Sequence, residues 1–147
     1  MVMLTILPFA PFGDDYAALL AESVAQGQRM LQRLRDNWQS GANLFDQNGE
    51  ILIAGFINDE LAGVCGRNID PYNVDTQQGR VRHLYVAQRF RRNGVGSALV
   101  RYILDDAAEH FSCLTTNAPE SAYAFYQGLG FARVTDNVTV THCYCFG

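Results

Sequence analysis

The stretch Arg89–Ser97, R-F-R-R-N-G-V-G-S, combines residue types suited to holding an anion. It follows an apolar run, Val81–Val86, and opens an amphipathic segment, Val95–His110. The pattern predicts a strand, an Arg/Gly turn and a helix N-terminus. Free backbone N–H groups at a helix start point outward, and the helix dipole favours negative charge there. Gly94 and Gly96 have no Cβ, so an anion can come close to the main chain around Asn93 and Val95. Arg91 and Arg92 add fixed charge and planar donors, and Ser97 adds a hydroxyl in the first turn. The chemistry this suits is a grip on a diphosphate. A plain tight turn would use the same two glycines, and the segment alone leaves both readings open.

Elements must position that loop. The chain has 147 residues, which fits one domain with a substantial core. Leu4–Pro8 reads as a short strand, and Asp14 or Asp15 can cap a helix running to about Leu34, with Gly27 as its weak point. Asn37–Asn43 is a polar break. Ile51–Ile57 and Leu61–Ile69 form a hairpin around Asn58-Asp59-Glu60, and Asp70–Gly79 reads as an exposed loop. After the loop and helix come a strand, Phe111–Thr116, and a short helix from Pro119 to about Gly128–Gly130. A second hairpin, Phe131–Thr135 with Val138–Phe146, closes the chain. This order implies a mixed sheet flanked by helices, in the α/β or α+β class.

Composition excludes several functions. Hydrophobic residues make up 48% and charged residues 18%, as in a soluble globular protein. No apolar run approaches the roughly 20 residues that span a bilayer. Met1–Pro8 lacks the basic start and cleavage site of a signal peptide, so the expected location is cytoplasmic and no membrane partner is expected. Net charge is −4, which argues against a nucleic-acid partner. All 11 basic residues are Arg, and five of them (Arg80, Arg82, Arg89, Arg91, Arg92) fall close together, which fits either one loop that holds an anion or a solvated loop. Cys65, Cys113, Cys143 and Cys145 each sit in a strand-like run. They read as buried free thiols in a reducing compartment, without the spacing of a zinc site, and no metal is expected. Gly94-x-Gly96 lacks the third glycine and the following acid of a dinucleotide fingerprint, and a chain without lysine cannot be a P-loop.

Leu84-Tyr85-Val86, Arg91-x-x-Gly94-x-Gly96, Ala124-Phe125-Tyr126 and Leu129-Gly130-Phe131 together resemble the GCN5-related N-acetyltransferase (GNAT) superfamily. The match covers about Val81–Phe131, and the remaining elements fall in that family's order. The resemblance implies a single GNAT domain over residues 1–147, with a central, mostly antiparallel mixed sheet of about seven strands flanked by helices. It implies acetyl-coenzyme A as cosubstrate and an amine as acceptor. The diphosphate would lie on main-chain N–H groups of Arg91 to Ser97 (Arg91, Arg92, Asn93, Gly94, Val95, Gly96, Ser97). Leu84, Tyr85 and Val86 would pair with the pantetheine arm as an added strand.

The resemblance also places Tyr126 as the general acid for the leaving thiolate, and Asn117 either on the pantetheine amides or as a helix cap. Many relatives carry a glutamate base near the start of the fourth strand, where this chain has Arg80. His83, His142 or water are the alternatives for the base. Direct attack in a ternary complex is expected, because nothing beside Cys113 in sequence lowers its pKa. The other function class is a GNAT-fold module that senses acyl-coenzyme A without turnover. Asp14, Asp15, Asp70 and Asp75 hint at a cationic acceptor, although solvated loop acids account for them equally simply. The apolar final strand, Thr139–Phe146, would invite a homodimer if it lay at a sheet edge.

Overall fold

Side chains along Ile51–Ile57 alternate between two destinations, and this alternation sets the layers of the molecule. Leu52 and Ala54 pack with Leu19, Leu31 and Leu34, whereas Ile53 and Ile57 pack with Leu99, Ile103 and Phe131. A strand with both faces apolar must be covered on both sides. The computed structural model, which describes residues 3–147, shows how. Helices α1 (Asp14–Ala25) and α2 (Met30–Ser40) cover one face; α3 (Val95–Asp105) and α4 (Tyr123–Gly128) serve the other.

The sheet has seven strands: β1 (Leu4–Pro8), β2 (Ile51–Ile57), β3 (Glu60–Ile69), β4 (Gln78–Val86), β5 (Cys113–Thr116), β6 (Ala132–Arg133) and β7 (His142–Cys145). Their spatial order is β1-β2-β3-β4-β5-β7-β6. All pairs are antiparallel except β4 with β5. The β2–β3 hairpin turns on Asn58 and Asp59, at φ 50° and 68°, the paired positive values that match a right-handed strand twist.

Several sequence expectations are corrected. The first helix does not run to Leu34. At Gly27 (φ 76°) the chain turns left-handed, and the amides of Gln26, Gly27 and Gln28 bond back onto the last turn of α1. The N-cap of α1 is Gly13, and neither Asp14 nor Asp15 caps it. The break at Asn37–Asn43 begins later, because α2 continues to Ser40 and ends at left-handed Gly41. Helix α3 stops at Asp105 and is followed by a 3-10 turn, Ala107–Glu109. Asp70 is buried rather than exposed, accepting hydrogen bonds from the Tyr72 amide and the Thr115 hydroxyl.

The final strand is β7, which lies between β5 and β6. Strand β5 covers one side along its whole length and β6 covers His142 and Cys143 on the other, so it is not the exposed edge strand on which the expectation of a dimer rested. The four cysteines are not all free. Cys113 and Cys145 stand directly opposite across β5 and β7, with Cα atoms 4.1 Å apart, and are joined by a disulfide. Sequence could not show this, because β7 skips past β6 to reach β5. Only Cys65 and Cys143 are free thiols, two of the four expected. No helix among the described residues is long and apolar enough to cross a membrane.

Arg67 locks α3 to the sheet. Its buried guanidinium donates to the carbonyls of Ile103 and Gly49 and to Asp106 Oδ1, at 2.6 to 2.7 Å. The first bond satisfies a carbonyl in the last turn of α3 that has no partner within the helix. Arg67→Leu should lower unfolding stability by about 2–3 kcal/mol through the orphaned carbonyls. Asp106→Asn should cost about 1 kcal/mol or less, because Asp106 is half exposed. Urea unfolding of the two variants checks this. Equal losses would show that the ion pair, not the backbone carbonyls, is what Arg67 serves.

Candidate active site

Strand β4 cannot pair fully with both neighbours. Against β3 the register runs Gly66 opposite Arg82 and then Val64 opposite Tyr85, so His83 and Leu84 together face the single residue Cys65. His83 takes φ 60° to absorb the extra residue. This is a β-bulge with a histidine, rather than glycine, in the left-handed region. Against β5, pairing ends at Arg80 with Thr115. Beyond that point the strands diverge, and the β5-facing side of Val81–Val86 has no strand partner. A splayed edge of this kind offers unpaired N–H and C=O groups.

The unpaired edge lets residues from both faces of β4 border the same opening. A regular strand would show alternate residues on one face. Here Arg80, Val81, His83 and Leu84 all border one cleft of about 260 Å³ between the diverging strands. Tyr126, Asn117, Thr116 and Arg33 complete its walls. Asn117 is exposed and has no hydrogen bond among the described residues; the short helical turn after Pro119 has no side-chain cap, so the capping alternative is not what the structure shows.

Tyr126 is buried, stacked edge-on between Phe125 and Phe131. Burial raises its pKa well above the ordinary 10, with the Thr116 side chain working the other way, so the phenol keeps its proton at neutral pH. His83 is also buried, and its Nε2 has no hydrogen-bond partner. Burial first, then the Arg82 and Arg33 charges, pull its pKa from 6.5 down to about 3; the Met30 backbone opposes them. His142 lies elsewhere. It is fully buried behind Tyr126, 3.2 Å from Gln127 Nε2 and 3.0 Å from the Thr141 hydroxyl, and does not border the cleft.

At the far end of β4 the chain passes through a 3-10 turn, Gln88–Phe90, into the loop before α3. Gly94 is the N-cap at φ 76°, and Arg92 is also left-handed at φ 68°. The first amide bonded within the helix is that of Ala98, which donates to Gly94 O. Among the described residues, nothing in the chain accepts a hydrogen bond from the amides of Arg92 through Ser97. A run of free N–H groups at a helix start is able to receive an anion.

The arginine cluster does not form one site. Arg91 donates through Nε to Val86 O and through Nη2 to Gln26 Oε1, and lies over the Tyr85 ring, so it clamps β4 to α1. Its amide is already bonded to Gln88 O. Arg89 faces Glu60 at 3.6 Å, and Arg92 is exposed beside the open amides. The Tyr85 side chain is likewise structural, its hydroxyl 2.5 Å from Glu22 Oε2. Of that tyrosine, only the backbone can serve a ligand.

The profile of the acetyltransferase (GNAT) family matches residues 15–131, about four-fifths of the chain. The chain belongs to the GNAT acetyltransferase family. A crystal structure assigned as an acetyltransferase from Exiguobacterium sp. 255-15 superimposes on this GNAT domain with TM-score 0.86 at 28% identity, over 97% of this chain and 93% of that one. A GCN5-related N-acetyltransferase from Kribbella flavida gives TM-score 0.70 at 19% identity over 95% of each chain. A protein assigned as an acyl-CoA N-acyltransferase from Klebsiella pneumoniae gives 0.68 at 18% over 99% of each. The last two likenesses concern the fold.

Sequence reasoning on this GNAT domain missed Arg33, Arg82 and Thr116 as cleft residues. The spacing of Arg80 and Arg82 along one strand was the available signal, but the nearby loop arginines absorbed it. The depressed His83 pKa has a consequence for stability. The unfolded chain takes up a proton below pH 6.5 that the folded chain refuses until about pH 3. The contribution is complete above 6.5 and is lost as pH falls through that window. From pH 6.5 to 4.5 the native protein should lose about 2–3 kcal/mol more than His83→Gln. Urea titrations at the two pH values measure it, and parallel losses in both proteins would contradict it.

Proposed function

We propose that this protein moves an acetyl group from acetyl-coenzyme A to a primary amine of a small molecule or peptide, by direct attack within a ternary complex. The observation that carries the reading is the combination of an unpaired β4 edge, leading to the cleft with Tyr126, and free amides at the start of α3. The pantetheine arm, with two amides, would add to the β4 edge at Leu84–Val86 as a short strand. The diphosphate would lie on the amides of Asn93–Ser97, with Arg92 beside them; Arg91 contributes by holding the loop. Asn117, free at the cleft mouth, can bond a pantetheine amide.

In the reaction the amine lone pair forms the N–C bond and the C–S bond breaks. The electron pair goes to sulfur, and the buried Tyr126 phenol is suited to give its proton to the thiolate, the phenol regaining a proton from water before the next turnover. The amine must then shed a proton. His83, held neutral by burial and by Arg82 and Arg33, can accept a hydrogen bond that orients the amine. A ring with so low a pKa is a weak proton store, and water carries the proton out. Cys65 takes no covalent part: it is fully buried, and burial pushes its thiol up to about 12.

Thiol release from acetyl-coenzyme A over a panel of amines tests the reading. Turnover should be found, and Tyr126→Phe should lower kcat by about a hundredfold or more while coenzyme A affinity changes less than about threefold. Tight coenzyme A binding with no release for any amine would instead make the domain an acyl-coenzyme A sensor.

A further inference from the structure

The charge on the cleft wall bears on the acceptor, and this inference rests on the acetyl-transfer reading above. Three guanidiniums border the cleft: Arg80 and Arg82 from β4 and Arg33 from α2. No acidic side chain borders it. Among the described residues, none of the three guanidiniums donates a hydrogen bond to another residue. Arg80 is the most telling of them. Its side chain is 92% buried, and Nη1 has no hydrogen-bond partner. The nearest carboxylate oxygen, Asp70 Oδ1, stands 3.9 Å away, beyond hydrogen-bond reach, and is committed to the Tyr72 amide. Asp70 Oδ2 is committed to Thr115. The Tyr72 ring covers the Arg80 guanidinium at 4.8 Å.

The Arg80–Asp70 ion pair at 3.9 Å leaves Nη1 without a hydrogen-bond acceptor, and a buried donor in that state costs free energy unless a ligand supplies one. Burial and the neighbouring arginine both act against charge on Arg82, which also borders the adjacent groove. Glu50 lies on that far side and is taken up by Asn68 and the amides of Ile69 and Gln47. The diphosphate does not account for this charge, because none of the free amides of Arg92–Ser97 borders the cleft. The loop acids that hinted at a cationic acceptor do not border it either: Asp14 and Asp15 are exposed on α1, Asp70 lies behind Arg80, and Asp75 accepts from the Gln77 amide.

We infer that the acceptor is a small amine that also carries an oxyanion, a carboxylate or a phosphate, gripped by Arg80 with Arg82 and Arg33 while its amino group faces the thioester. Arg suits this task because its planar fork meets two oxygens at once. The same anion would offset the two guanidiniums that hold His83 neutral, and so strengthen the hydrogen bond His83 accepts from the amine. The position where many relatives place a glutamate base would here be an anion clamp.

Two measurements test this separately from the acetyl-transfer reading. The first is turnover with matched amines: β-alanine against β-alaninamide, O-phosphoethanolamine against ethanolamine, and 1,3-diaminopropane. At least one anionic member should exceed its neutral partner in kcat/KM by about a hundredfold, and the diamine should be the poorest. The carboxylate and phosphate arms distinguish the two anions. The second needs no turnover: inorganic phosphate and β-alanine are titrated into the protein while the arginine Nε–H resonances are followed by NMR. Arg80 and Arg82 should shift on saturation. Arg80→Gln should weaken binding at least tenfold, and exposed Arg33→Gln, which does not disturb the core, should weaken it about threefold or more. Equal or better turnover of neutral amines or the diamine would overturn the anion clamp and leave acetyl transfer standing. No turnover with any amine, but saturable anion binding lost in both variants, would overturn acetyl transfer and keep the clamp. Anion binding that survives both substitutions would overturn the clamp.

Discussion

Strand β4 pairs with β3 along its length but with β5 only as far as Arg80, and the rest of the structure is arranged around that constraint. The extra residue at His83 twists β4 away from β5. Val81–Val86 therefore keeps an open edge in the interior of the sheet. The cleft runs along this edge, so one short segment supplies both a backbone edge and chemically distinct side chains. Strand β3 pairs with β4 along its other edge, and helices pack on both of its faces. Arg91 binds the Val86 carbonyl and Gln26, and Tyr85 reaches Glu22 on α1.

The two faces of the sheet divide the work. Helices α1 and α2 anchor β4 from behind, and α2 brings Arg33 to the cleft. Helix α3 packs on the opposite face through Val95, Leu99, Val100 and Ile103 and presents its unpaired N-terminal amides. Arg67 ties the other end of that helix to β3, which fixes where those amides stand relative to β4. Burial does the remaining electrostatic work. It keeps the Tyr126 phenol protonated and, with Arg82, keeps the His83 ring neutral.

Local signals made part of this legible in the sequence. The glycines at the start of α3, the apolar runs of β2 and β3 with Asn58-Asp59 between them, and the approach to Tyr126 through Pro119 are short-range patterns with direct physical meaning. The features that were not legible depend on pairing between distant segments. A bulge at His83 carries no glycine or proline to announce it, since it arises from the register between β3 and β4. The Cys113–Cys145 disulfide and the interior place of β7 follow from strand order. The five neighbouring arginines looked like one anion site. The strand, the 3-10 turn and the loop send them to separate tasks, and the two on β4 face the cleft rather than the loop before α3.

The central claim is that the open β4 edge and the free amides before α3 are one continuous binding surface for the cosubstrate. Hydrogen exchange followed residue by residue, with and without saturating acetyl-coenzyme A, tests it most directly. The account predicts slowed exchange both in the Leu84–Val86 segment and at Asn93–Ser97, with little change at β1 or the Arg67 contacts. Unchanged exchange in those two segments, with saturation shown independently by calorimetry, would contradict it.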